Sequence, residues 1–132
     1  TKNGNKQLYN LALSDKNEKR NLYTDTDGGN TSLSEFESTS VEEIETKTFD
    51  SFNFKNIKLL KIDAEGHEPE VLTGLTETLK NVEYIAIDHS DERGFNQEKT
   101  TVEVFDFLYK NNFQVVAVSP YREISLFKNS FK

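Results

Sequence analysis

Two short apolar stretches of this chain end in groups able to move a proton or hold a cation. Ile57 to Ile62 (IKLLKI) runs into Asp63-Ala64-Glu65-Gly66, with His67 and Glu68 just behind, and Val82 to Ile87 (VEYIAI) runs into Asp88-His89. Open parallel sheets bind ligands beyond the carboxyl ends of their strands. If the two stretches are neighbouring parallel strands, about 5 Å apart, Asp63, Glu65, Asp88 and His89 share one rim. Three readings stand. A carboxylate or His89 takes the proton of a substrate hydroxyl, with crowded like charges raising a carboxylate pKa toward the useful range. Alternatively Asp63, Glu65 and Asp88 hold a hard cation such as Mg²⁺, which would orient a hydroxylated substrate and lower its pKa. In the third reading Asp63 and Asp88 only cap loops and both histidines are solvated, since Asp at a strand end is ordinary turn chemistry. His67 and His89 do not form a zinc site, because the chain has no cysteine and they are not an i, i+4 pair.

The elements that must position these groups follow from periodicity. Leu8 to Leu13 suits a buried strand, and Ser14-Asp15-Lys16-Asn17 is turn chemistry leading to a second strand over Arg20 to Thr24, so a hairpin is expected there. Residues 25–40 are dense in Gly, Asp, Ser and Thr and predict a long surface loop. Val41 to Thr48 reads as an edge strand, since Glu42, Glu43 and Glu45 are hard to bury. Ile57 to Ile62 reads as a buried strand. Pro69 suits the first turn of a helix and Glu70 the positive end of its dipole. Val71, Leu72, Leu75 and Leu79 form one helical face, opposite Thr73, Thr76, Glu77 and Lys80. A helix between two strands implies a parallel pair. Thr100-Thr101-Val102-Glu103 matches a capping box before a helix whose apolar face is Val104, Phe105, Leu108 and Tyr109. Phe113 to Val118 and Ile124 to Phe127, joined around Pro120, predict a terminal antiparallel hairpin. The fold expected is α/β, a single domain over residues 1–132 with an open, mostly parallel sheet.

Composition narrows the partners. With 34 % hydrophobic and 30 % charged residues, the chain is polar yet too rich in Phe and Tyr to look disordered. A net charge of −7 and a pI near 4.9 repel nucleic-acid phosphates and anionic membranes. No apolar run reaches the roughly 20 residues that span a bilayer. The expected setting is cytoplasmic, and no nucleic-acid or membrane partner is expected.

Lys61-Ile62-Asp63-Ala64-Glu65-Gly66-His67-Glu68, followed by Glu70-Val71-Leu72 and Gly74, resembles the K-I-D-x-E-G-x-E-x-x-V-L-x-G signature of FkbM-type methyltransferases. Asn10 to Asp15 resembles that family's N-x-A-L-S-D strand end, Asn30-Thr31-Ser32-Leu33 its Ser-containing loop, Thr48-Phe49-Asp50 its T-L-D stretch, and Ile85 to His89 its next strand, where Asp88 replaces a frequent Glu. The similarity covers nearly the whole chain. It implies a class I, Rossmann-like methyltransferase fold and transfer of a methyl group from S-adenosylmethionine to a hydroxyl of a sugar or natural product. Carried over by position, Ala12, Leu13, Ser14 and Asp15 would lie near the adenine, and Asp63 near the sulfonium and substrate. Glu65 and His89 would orient or deprotonate the acceptor. Gly66 and Gly74 would serve backbone geometry and close packing.

A class I fold opens with a strand, a Gly-rich turn, a helix and a second strand ending in an acid that holds ribose. None of these precedes Leu8, and the paired Gly28-Gly29 lack the strand-before, helix-after context of a cofactor loop. The chain is therefore expected to be the C-terminal part of such a domain, binding the cofactor weakly or not at all. Either the Leu8 and Ile57 strands pair directly, or an exposed sheet edge recruits a second copy into a homodimer. Two other readings stay open. One is a non-catalytic binding or assembly module that keeps the sheet without the cofactor site. The other is a Mg²⁺-dependent catechol-type transferase.

Overall fold

The strand and helix faces read from spacing are largely those that fold, but the sheet they build is mixed. The computed structural model describes residues 6–25 and 31–132. Gly28, Gly29 and Asn30 lie outside them. In chain order the strands are β1 (Ala12–Leu13), β2 (Glu18–Thr24), β3 (Thr31–Ser32), β4 (Ser40–Lys47), β5 (Ile57–Ile62), β6 (Val82–Asp88), β7 (Asp91–Arg93), β8 (Glu98–Lys99), β9 (Phe113–Val118) and β10 (Ile124–Asn129). The helices are α1 (Glu68–Thr73) and α2 (Thr101–Lys110).

Two four-stranded sheets result, in the orders β1-β4-β2-β3 and β5-β6-β10-β9, beside a β7–β8 ribbon. Among the described residues only β1–β4 and β5–β6 are parallel. The expectation of a mostly parallel sheet is thus corrected to a mixed α/β fold. The parallel β5–α1–β6 unit carries the loop of the candidate site, and antiparallel pairs, some hairpins and some distant in sequence, supply most of the rest.

The second sheet holds the core. β6 sits between β5 and β10, so both its edges are bonded, and Val82, Ile85 and Ile87 are fully buried. Leu72 and Leu75 from the segment after Pro69, and Val104 and Leu108 from α2, complete this core. Each contributes roughly 2 kcal/mol by leaving water. Every residue expected on the inner face of the first helix is buried and every one expected outside is exposed. The α-helix itself stops at Thr73 and passes through turns to a 3₁₀ segment at Leu79–Asn81. α2 packs Phe105 edge-on against Phe127, with ring centroids 4.9 Å apart. Tyr109 on that face stays exposed. The terminal hairpin forms as expected, with β9 and β10 paired from Phe113↔Asn129 to Val118↔Ser125.

Several expectations need correction. Leu8 is 95 % exposed, and only Ala12 and Leu13 of the stretch from Leu8 to Leu13 form a strand. β1 does not form a hairpin with β2, because β4 lies between them. Consequently β4 is an edge only over its first part, where Glu42, Glu43 and Glu45 are exposed; β1 covers Thr46 and Lys47. The 25–40 segment contains β3, paired with Tyr23 and Thr24, and buries Ser32 and Leu33. β5 is not a buried strand: Leu59 is 56 % exposed, and β5 forms the edge of its sheet among the described residues. Nor does β1 pair with β5. Lysines on an edge discourage strand addition, and Lys58 and Lys61 stand on this one, held by Glu83 and Asp63.

One contact between the two sheets is especially close. A Cβ on Gly74 would lie 2.0 Å from the Ser14 carbonyl oxygen, so only glycine lets the end of α1 approach β1. The Gly74 carbonyl accepts the Asp50 N–H at 3.0 Å, and the Asp50 carboxylate accepts the Glu77 and Thr78 N–H groups at 3.0 and 2.8 Å.

Candidate active site

The parallel register of β5 and β6 pairs Ile62 with Ile87, which sets Asp63 beside Asp88 on one rim. The loop leaving β5 is built by a buried carboxylate. Glu68 is 1 % exposed; its Oε1 accepts the Ala64 and Gly66 N–H groups at 2.9 and 3.2 Å, and its Oε2 accepts the Thr100 hydroxyl at 3.2 Å. The expected capping box at Thr100 therefore does not form, because its hydroxyl serves this loop rather than the α2 N-terminus. Ser32 donates to the Glu65 carbonyl at 2.7 Å. Gly66, at φ +87°, has the Arg93 backbone so close that a Cβ would lie 2.6 Å from it. Held in this way, Glu65 adopts a left-handed φ of 50°, an uncommon conformation for a residue with a Cβ.

The expected site residues separate into three groups. Ala12, Leu13 and Asp63 line one cavity of about 260 Å³ between the end of β1 and the open edge of β5, with Phe49, Val71 and Leu75 among its apolar walls. Ser14 and Asp15 lie behind it. Ser14 is buried, and its hydroxyl donates to Asp15 Oδ1 at 3.0 Å. Glu65 faces a different small recess with Ser32, Glu92 and Gly94.

His89 turns away from the rim. It is buried, with Nδ1 3.0 Å from Thr101 Oγ1 and Nε2 2.9 Å from Ser125 Oγ, so both nitrogens are committed to hydroxyls of the fold. Asp88 is also engaged. Its Oδ1 accepts the Ser90 N–H and hydroxyl, and its Oδ2 lies 3.6 Å from Arg122. Asp63 is ion-paired with Lys61. Accordingly Asp63, Glu65 and Asp88 do not converge as Mg²⁺ ligands, and among the described residues no group of three metal-ligating side chains does.

The electrostatics of the rim are those of crowded acids. Burial raises the Glu65 carboxyl above its ordinary range, and Asp63 and Asp88 add to the effect. Glu92 is pushed up to about 7 by burial and by Glu65 and Asp88. A carboxyl so raised is a better base when ionised.

The spacing of the sequence missed a second cluster altogether. His67 is 3 % exposed, and its Nε2 lies 3.0 Å from Ser14 Oγ, bridging the two sheets. Arg20 donates to the same Ser14 oxygen at 3.2 Å. Glu70 accepts two hydrogen bonds from Arg93, at 2.9 and 2.5 Å, a bidentate pair. Burial lowers the His67 pKa, outweighing the opposing pull of Glu70, and Arg20 and Arg93 lower it further. Arg20 and Arg93 carry no local sequence signal, since only the tertiary fold brings β2 and β7 to α1.

No described helix is long and apolar enough to cross a membrane. No curated protein and no solved structure matches the chain. The family model for the methyltransferase FkbM domain matches residues 2–115, which span the cavity, the β5 loop and the His67 cluster alike. The chain belongs to the methyltransferase FkbM domain family.

Proposed function

We propose that the chain is the C-terminal part of a class I, Rossmann-like methyltransferase domain that transfers a methyl group from S-adenosylmethionine to a hydroxyl of a sugar or natural product. One observation carries this reading. The two segments that resemble the family's signatures, Asn10 to Asp15 and Lys61 to Gly74, close on a single apolar cavity with one acid, Asp63, among its lining.

The lining fits the purine end of the cofactor. A dry cavity of about 150 Å³ admits benzene, so 260 Å³ admits a bicyclic ring. Sites for whole drug-sized ligands run from about 300 to 1,000 Å³, so the ribose and methionine must extend beyond these walls. When bound, S-adenosylmethionine supplies an electrophilic methyl group on a sulfonium. The chain's residues do the remainder. Ala12 and Leu13 exclude water from the ring, and Asp63 orients polar groups at its rim. Glu65, whose basicity burial increases, accepts the acceptor hydroxyl's proton on a carboxylate oxygen. His89 holds Thr101 and Ser125 in register and contributes by positioning.

The small cavity also favours a second reading, a binding or assembly module that retains the sheet. Titration of the ¹⁵N-labelled chain with S-adenosylmethionine and S-adenosylhomocysteine separates the two. The enzyme reading expects saturable amide shifts confined to Ala12–Asp15 and Asp63–Gly66, with affinity about millimolar. Shifts that saturate elsewhere on the folded protein refute it, whereas no saturable shift favours the module or an incomplete cofactor site.

A further inference from the structure

Beside the apolar cavity, and separated from it by Leu33 and His67, runs a polar groove of about 440 Å³. Its walls come from β2, the loop after β3, α1 and the β7–β8 turn, and include Tyr23, Glu35, Arg93, Phe95 and Glu98. We infer that this groove is the acceptor site and that it takes a polyhydroxylated acceptor carrying a protonated amine, of the aminosugar class. The inference rests on the methyltransferase reading for the word acceptor; the ligand chemistry rests on the groove.

The argument begins with charge. Arg93 is engaged in the bidentate pair with Glu70, and Arg20 donates to Ser14 with Asp15 3.9 Å away. Glu35 and Glu98 are exposed and have no ion-pair partner among the described residues. An anionic ligand such as a sugar phosphate would meet this surplus negative field without a free cation to hold it. A cationic ligand would be drawn in.

His67 supplies a second, independent observation. Ser14 has one hydroxyl proton and gives it to Asp15, so Ser14 Oγ must accept from His67 Nε2–H as well as from Arg20. Burial disfavours the charged ring, and the neutral ring with its proton on Nε2 carries a lone pair on Nδ1. That buried Nδ1 has no hydrogen-bond partner. It lies on the groove side, 3.5 Å from Glu70 Oε2, where two acceptors face each other across a gap outside hydrogen-bond geometry. Nδ1 is buried, so a ligand reaches it only when the His67 and Glu70 side chains part slightly; an ammonium or hydroxyl group donated into that gap then satisfies both acceptors. The groove thus offers a lone pair at its floor, carboxylates at its rim, and the faces of Tyr23 and Phe95 for a sugar's apolar side. The groove's Gly94 also lines the recess of Glu65, so the groove and that recess share a wall.

The test is a ¹⁵N NMR titration of the chain at pH 6.5 with glucosamine, N-acetylglucosamine, glucose and glucose 6-phosphate, without cofactor. Glucosamine is expected to shift the amides of Ser34–Glu35 and Gly94–Glu98 at saturation, at least tenfold tighter than the other three. E35Q and E98Q, both at exposed positions, should each weaken glucosamine by about fivefold and leave glucose unchanged, the ratio an exposed ion pair gives. Equal binding of glucose and glucosamine, preferred binding of the phosphate, or shifts elsewhere would overturn the proposal. Silence with S-adenosylmethionine together with selective glucosamine binding would support the groove's ligand chemistry and favour the module over the methyltransferase reading. Cofactor binding without glucosamine selectivity would sink only this inference.

Discussion

Gly74→Ala probes a close approach between the two sheets. The new methyl would sit 2.0 Å from the Ser14 carbonyl oxygen, 3.0 Å from its carbon and 3.4 Å from Asp15 Cα. Ordinary contact begins near 3.5 Å, so β1 and the end of α1 must separate by more than about 1 Å. The obstacle is backbone on both sides, so no side-chain rotation relieves it. Separation also breaks the 3.0 Å bond between Ser14 and His67, which is buried. Overpacking of about 2 kcal/mol and a lost buried hydrogen bond of about 1 give a cost of about 3 kcal/mol. For a 132-residue domain, with an unfolding entropy of about 2.1 cal/mol/K per residue, Tm falls by about 10 °C. Calorimetry measures this, with Gly94→Ala as the control. Gly94 has φ +67° but its nearest neighbour atom is 3.8 Å away, so that change costs only the left-handed conformation, about 1 kcal/mol. If Gly74→Ala melts within a few degrees of the parent, or no lower than Gly94→Ala, the close approach of β1 and α1 is refuted.

Glu92→Gln tests the crowded acids. A carboxyl whose pKa rises from 4.5 in the unfolded chain to about 7 in the fold costs nothing below pH 4.5, where both states are protonated, and opposes folding increasingly up to pH 7. The substitution should therefore stabilise the protein by about 1 kcal/mol at pH 8, after allowance for solvent screening, and by nothing near pH 4; urea titrations at both values check it. Glu68→Ala removes the acceptor of two backbone N–H groups and of the Thr100 hydroxyl, all in the β5 loop region. It should cost about 3 kcal/mol, with Glu68→Gln losing about a third of that, as read from urea midpoints.

What the chain alone determined was local and periodic. Alternation and helical spacing are properties of neighbouring residues, so the β5–α1–β6 unit, its buried face and the terminal hairpin were legible, as were the acids at the two strand ends. The signature's Gly66 and Gly74 were assigned to backbone geometry and close packing, and both prove to stand against another backbone segment. Tertiary structure decided what spacing cannot encode: which edges pair and which way buried rings turn. β4 came between β1 and β2, since strand pairing over long separations depends on the whole surface buried and not on the nearest turn. His89 left the rim because Ser125 and Thr101, distant in sequence, offered both its nitrogens hydroxyl partners inside the fold. His67 gained its place between cavity and groove because Gly74 lets β1 approach closely enough for Ser14 to reach it.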